Sequence, residues 1–234
     1  CDRVFIDDVV SNALLQAEGL KFPVMTYFVN SISSKGISTP YSFVSSLPDS
    51  EITENEVIIN NWLADDLNAG PGDSLEMEYF IVGPLRELSV QRKAFIIRSV
   101  EAVKGYFADK RLMPDLPGLS DAGNCRDWET GVPVQLDKIR DKDELYWKKW
   151  KGIPKAFISL ESAKNLWENR FGSYTGFRYS QEKTTELKLS ASVMSLLKPE
   201  SLGFEIEEVR RQGIVAARNG VDFSQLFAGL SFFL

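Results

Sequence analysis

The sequence predicts an α+β fold, mixed β-sheets with a few helices packed on one face, and three observations carry that expectation. Short runs such as Val57-Ile58-Ile59, and the alternation of Leu75, Met77, Tyr79 and Ile81 with Glu76 and Glu78, have the composition and the period of strands. Leu189, Val193, Leu196 and Leu197 recur at helical spacing. The order strand, helix, strand occurs twice, over 57–79 and again over 155–179, without an internal sequence repeat. A chain of 234 residues holds one large domain or two small ones, so two subdomains fit this length.

Taken in order, 3–18 carries Val4, Phe5, Val9, Ala13 and Leu14 near helical spacing, with Gly19 placed to end a helix. Residues 22–32 and 40–47 read as two strands of a hairpin, joined by a long loop through a polar Ser-Lys-Gly turn. Asn60 or Asn61 is placed to cap a short helix after Val57-Ile58-Ile59, because an Asn side chain accepts from an otherwise unpaired first-turn N–H, and Leu63 and Leu67 share one helical face. Gly70-Pro71-Gly72-Asp73 fits a type II turn, in which proline presets φ and glycine supplies the positive φ that follows. Two further strands complete the module.

Residues 105–154 are rich in Pro, Gly, Asp and Trp and lack periodicity, which marks a long irregular excursion that is functional or carries short elements of its own. After it, Lys155 opens a short strand, Ser159 caps a helix with Leu160, Ala163, Trp167 and Phe171 on one face, Gly172 stops that helix, and 174–179 returns as a strand. Pro199 ends the helix around Val193, and Phe204-Glu205-Ile206-Glu207 alternates. From Asp222 onward the chain carries no further charge and runs Phe223-Ser-Gln-Leu-Phe-Ala-Gly-Leu-Ser-Phe-Phe-Leu234, too short to span a bilayer, which takes about 20 apolar residues. The run reads as a packed C-terminal helix or as the first half of a membrane helix, and composition alone favours the packed helix.

Composition excludes several function classes. A net charge of −6 without a Lys/Arg cluster argues against a nucleic-acid partner, since that affinity comes from releasing counterions with clustered cations. The sequence has no histidine, which removes the usual general base and Ser-His or Cys-His nucleophiles, and two cysteines are too few for a thiolate metal site. Cys1 and Cys125 can pair only if the fold brings them together. Cys1 as the first residue allows a lipid-bearing cysteine or excision from a longer protein; apolar Val4, Phe5, Ile6, Val9 and Val10 so close to it favour excision. No phosphate-binding glycine loop occurs. Asp137, Asp141, Asp143 and Glu144 read as charged surface, Ser195-Leu-Leu-Lys198 as a chance match to a serine-lysine word, and Trp128, Tyr146, Trp147, Trp150 and Trp167 as buried anchors of the excursion rather than a ligand groove. No catalytic, cofactor-binding or metal-binding residue is expected.

Several words together resemble a known family. The strand ending in Asn60, the helix Trp62-Leu63-Ala64-Asp65-Asp66, Gly70-Pro71-Gly72-Asp73, Tyr41-Ser42-Phe43-Val44 after Thr39-Pro40, Cys125-Arg126-Asp127-Trp128-Glu129, Asp143-Glu144-Leu145-Tyr146-Trp147 and the C-terminal run resemble the extracytoplasmic, MacB-type periplasmic core domain of FtsX-like ABC transporter permeases. The resemblance implies a MacB-core-like fold over 1–205 and, over 206–234, a juxtamembrane coupling segment that enters a transmembrane helix, with Phe223, Leu226, Phe227, Phe232, Phe233 and Leu234 as membrane-entry residues. It implies a non-catalytic domain on the periplasmic side of the inner membrane, without cofactors, partnered by a cytoplasmic ABC ATPase, the lipid bilayer and a substrate or partner protein outside the membrane. The alternative is a secreted or lipid-anchored protein that binds a glycan or peptide through the aromatic excursion.

Overall fold

The computed structural model describes residues 4–19, 21–48, 52–83, 85, 87–129, 131, 133–179, 185–205, 207–218 and 223–232. It is α+β, and the chain divides into two compact units, 1–196 and 197–234.

The larger unit is built on a closed barrel of six strands in the order β2-β3-β7-β4-β6-β5. These are β2 (Thr26–Ser34), β3 (Ile37–Leu47), β4 (Glu56–Asn60), β5 (Ser74–Val82), β6 (Leu88–Glu101) and β7 (Ala156–Ser159). β3 pairs with β7 and β4 with β6 in parallel; the other four ladders are antiparallel. β1 (Lys21–Val24) and β8 (Gly176–Tyr179) form a separate two-stranded ribbon. The repeated strand–helix–strand order therefore does not give two equivalent units, because β8 leaves the barrel to pair with β1.

Local physics accounts for the elements. Asn60 Oδ1 accepts from Leu63 N at 2.8 Å and caps α2 (Asn61–Leu67), whose Leu63 and Leu67 are fully buried. At the predicted turn, Asp73 N donates to Gly70 O at 3.1 Å and Gly72 takes φ +91°. Leu75, Met77 and Tyr79 point into the core from β5. Ser159 caps α4 (Leu160–Trp167), which returns Ala163 and Trp167 to the same core.

Several expectations need correction. The β2–β3 connection is the two-residue turn Lys35-Gly36, with φ +51° and +79°, in place of a long loop; two consecutive positive φ values match the twist of the flanking strands. The first helix, α1, covers only Asp8–Gln16, begins at Asp7, whose side chain accepts from Val9 N, and ends before Gly19. α4 stops at Trp167, so Phe171 lies outside it, partly exposed. α5 (Glu186–Leu196) ends ahead of Pro199 as expected. The excursion carries 3₁₀ turns and one full helix, α3 (Asp141–Trp150).

The excursion packs on the barrel's outer side. Phe43, Leu119, Cys125, Trp128, Ile139 and Trp147 form a second apolar cluster, and Leu112 joins Val24, Leu47, Ile52 and Phe157 in a third. β3 and β7 are thus covered on both faces: Val44, Ala156 and Ile158 belong to the main core while Phe43 and Phe157 belong to the outer clusters. Such strands read as continuous apolar runs, as Ala156-Phe157-Ile158 does.

The smaller unit contains α6 (Val209–Arg218) and α7 (Phe223–Ser231). Among the described residues no helix is long and apolar enough to cross a membrane.

Candidate functional site

The most unusual chemistry in the described residues lies where the excursion meets β3, β4 and β7. Lys155 immediately precedes β7; its N–H donates to Phe43 O and its carbonyl accepts from Asn60 N, so the barrel ladders fix its backbone. Its side chain is 5% exposed. The ammonium lies 4.2 Å from the ring centre of Trp62 and 4.8 Å from that of Tyr146, and 3.8 Å from Asp143 Oδ1, longer than a hydrogen bond. Burial pushes its pKa down to about 8, with Asp143 and Asp66 opposing the shift.

Around this lysine the carboxylates are spent on other partners. Asp143 caps α3 by accepting from Arg140 N at 3.0 Å, and also takes Arg140 Nε at 2.7 Å and Nη2 at 2.8 Å. Arg140 Nη2 reaches across to Asp66 Oδ2 on α2 at 2.7 Å, and Asp66 also binds Lys142 and Thr39. Burial alone would raise the Asp66 carboxyl, but the bonds from Lys142, Thr39 and Arg140 outweigh it and hold it below the usual carboxylate range. Glu144 accepts from the backbone N–H groups of Cys125 and Arg126. Asn60 Nδ2 donates to Tyr146 Oη at 2.9 Å, and the Tyr146 hydroxyl donates to Ile153 O at 3.1 Å.

The surface reading of the four acidic residues therefore fails for Asp143 and Glu144, which are buried because each meets several donors; Asp137 and Asp141 are exposed. Of the aromatic residues expected to anchor the excursion, Trp128, Tyr146 and Trp147 are buried, whereas Trp167 belongs to the main core of the barrel and Trp150 is half-buried. Cys125 is a free buried thiol, and its pKa is raised by burial to about 12; Cys1 lies outside the described residues. Ser195 Oγ bonds to Ser192 O within its own helix. Among the described residues no group of acidic or thiol side chains is arranged to hold a metal ion.

The membrane-entry residues expected from sequence fall in the smaller unit. Phe223, Leu226 and Phe227 belong to α7, where Phe227 is 66% exposed; Phe232 follows that helix and is 89% exposed; Phe233 and Leu234 lie outside the described residues. Leu230 on α7 is also exposed.

Two surface features were not anticipated. The β5–β6 hairpin pairs Phe80 with Val90 and Val82 with Leu88, so these four residues share one face of the ribbon. Val82, Leu88 and Val90 are exposed, and Leu85 at the tip is 90% exposed. Beside this face a cleft of about 640 Å³ runs between Phe80 and Val90, Tyr41 of β3, and Gln135 and Lys138 of the excursion. The sequence signal for the hairpin was present in the alternation running through Val82 and Val90 on either side of Gly83, which strand pairing alone turns into a two-stranded apolar face.

No protein-family model matches this chain, and no curated protein matches it. Among solved structures it is similar to a crystal structure of a domain described as that of a permease protein from Porphyromonas gingivalis. The identity is 11% and the TM-score 0.32, over 89% of this chain and 73% of that one, a likeness too remote to assign function.

Proposed function

We propose that this chain is the extracytoplasmic domain of an FtsX-like ABC transporter permease of the MacB type, a domain that does no chemistry of its own. In this reading a cytoplasmic ATPase moves membrane helices, and the barrel unit passes that motion to a substrate or partner protein on the periplasmic side of the inner membrane. The observation that carries the reading is the stretch from Phe223 onward: it has no charged residue, it reads like a membrane-helix entry of that family, and Phe227, Leu230 and Phe232 stand exposed on and just after α7. An isolated soluble helix normally hides such a face. The surface offered outward is the apolar face of the β5–β6 hairpin, with Leu85 at its tip and the adjoining cleft.

The test is to tag the chromosomal gene product, separate inner membrane from soluble fractions, and identify by mass spectrometry what co-purifies after mild detergent extraction. Retention in the membrane through alkaline washing, together with a co-purified chain carrying a phosphate-binding glycine loop, is the expected result. Recovery in the soluble fraction without such a chain overturns the proposal.

A further inference from the structure

Two arginines share one pocket beside the small β1–β8 ribbon. The pocket, of about 230 Å³, touches the five consecutive residues 175–179 but only Val24 of β1, so it runs along the outer edge of β8, with Arg111, Leu112 and Pro114 as its far wall. Among the described residues β8 pairs with β1 alone, which leaves the N–H and C=O groups of its other edge without a ladder. Gly176 opens this strand without a positive φ, so its backbone does not call for glycine, and a Cβ there would meet only Val24 Cβ, at 3.9 Å. A glycine in ordinary strand conformation forfeits packing, and it marks places where another backbone or a ligand comes close.

Arg111 and Arg178 are the charged side chains of this lining, and among the described residues no carboxylate joins them there. Asp109 holds both from outside the pocket. Its Oδ1 accepts from the backbone N–H and the Nε of Arg111, each at 3.0 Å, and its Oδ2 accepts from Arg111 Nη2 at 2.9 Å and from Arg178 Nη2. Two donors on each oxygen fill that carboxylate. A guanidinium has five N–H groups, of which Arg111 spends two on Asp109 and Arg178 one, so both keep donors in reserve and the trio keeps one positive charge. The Arg178 guanidinium also lies 4.8 Å from the ring centre of Tyr106, which together with Asp109 fixes its orientation. The open strand edge suits an extended peptide, and a carboxylate is the anion that a peptide carries to an arginine pair.

We propose that the outer edge of β8 is a docking site for an extended acidic peptide, which adds a strand to the ribbon and sets a Glu or Asp carboxylate against Arg111 and Arg178. Main-chain bonds along β8 supply affinity in this mode, and the arginine pair supplies the choice of sequence. The space that Gly176 leaves open, beside apolar Val24, Leu112 and Pro114, lets the peptide come close. The site asks for neither a membrane nor an ATPase, so it stands or falls separately from the permease reading.

The proposal is tested by titrating the full chain, labelled for NMR, with a pool of acetylated and amidated hexapeptides randomised except for one fixed glutamate. The controls are the same pool with glutamine in that place, and inorganic phosphate. Saturable shifts at the amides of Gly176–Tyr179 are expected, with the glutamate pool binding about tenfold tighter than the glutamine pool, since a charge-assisted bond exceeds a neutral one by about 1.4 kcal/mol. Gly176→Val fills the space without touching a charge, and Arg111→Gln removes a guanidinium whose side chain is 77% exposed. Each is expected to keep Tm within about 2 °C of wild type and to weaken binding by the glutamate pool about tenfold or more. Equal shifts from the two pools overturn the proposal, as does binding that survives both substitutions. Phosphate that reproduces every shift reduces the site to an oxyanion pocket and overturns the peptide, and a glutamate pool that gives no saturable shift overturns the site.

Discussion

Replacing Asn60 with alanine tests the junction on which the larger unit depends. The side chain is fully buried, accepts from Leu63 N at 2.8 Å, and donates to Tyr146 Oη at 2.9 Å and to Pro154 O at 3.4 Å. Loss of the cap costs about 1 kcal/mol, and leaving a buried acceptor without its donor costs about 1–3 kcal/mol more. The expected loss is about 3 kcal/mol, read as a fall in Tm of roughly 6–12 °C for a unit of this size. Asn60→Ser keeps an acceptor for Leu63 N but cannot reach Tyr146, so it is expected to recover about 1 kcal/mol of that loss. Urea unfolding followed by tryptophan fluorescence reports both numbers. A loss below about 1 kcal/mol for the alanine variant refutes the junction as described, and equal losses for alanine and serine refute the cap.

Further measurements address the buried groups and the exposed hairpin. Lys155 has a folded-state pKa of about 8 against 10.5 in the open chain, so between these values the unfolded state holds more protons and stability rises with pH. Between pH 8 and 10 the wild type is expected to gain about 2 kcal/mol relative to Lys155→Met, and a pH-independent difference sinks the assignment. The window closes above pH 10, where Tyr27, raised to about 12 by burial with Tyr79 adding to it, opposes the gain. The Cys125 thiol, with its pKa raised to about 12 chiefly by burial, is expected to react with a disulfide reagent at pH 8 about a thousandfold more slowly than in urea; fast native reaction means the excursion opens readily. Leu85→Glu is expected to leave Tm within about 1–2 °C of wild type, since the residue is 90% exposed, and under the proposed function to impair transport by the assembled permease; full activity removes the hairpin tip from the contact surface.

What was legible in the sequence is what short-range physics decides. The Asn60 cap, the Gly70–Asp73 turn, the inward alternation of β5 and the Ser159 cap all follow from a few adjacent residues. Barrel closure was not legible, because it needs β3 to pair with β7 across more than a hundred residues, and nothing local encodes that register. The hairpin turn was misjudged because Lys35 takes φ +51°, a conformation that favours Gly or Asn and is uncommon for lysine. α3 was hidden by its own charge. Asp141, Lys142, Asp143, Glu144, Lys148 and Lys149 mask the apolar pair Tyr146-Trp147 that the helix buries. The Arg140-x-x-Asp143 spacing was the signal for it, since a residue three positions into a helix can reach back to the cap N–H.

The charged residues whose burial the sequence did not show share a cause. Asp66, Arg140, Asp143 and Lys155 each look like ordinary surface charges when read one at a time, yet where α2, α3 and β7 meet the Asp66, Asp143 and Lys155 side chains are buried and Arg140 is half-buried. Three independent ties fasten the excursion there: the Phe43–Trp147 apolar cluster, the Arg140 bridge from Asp66 to Asp143, and the Asn60–Tyr146 bond. Removing one member of a buried charge network leaves the others uncompensated, so such networks resist partial opening more than an apolar patch of equal area does. These ties hold the excursion to the barrel, and the hairpin that carries Leu85 is built on β5 and β6, two barrel strands that the excursion's apolar clusters leave uncovered. Such an attachment is what the proposed function requires of the barrel unit, which there has to pass on a motion without the excursion peeling away.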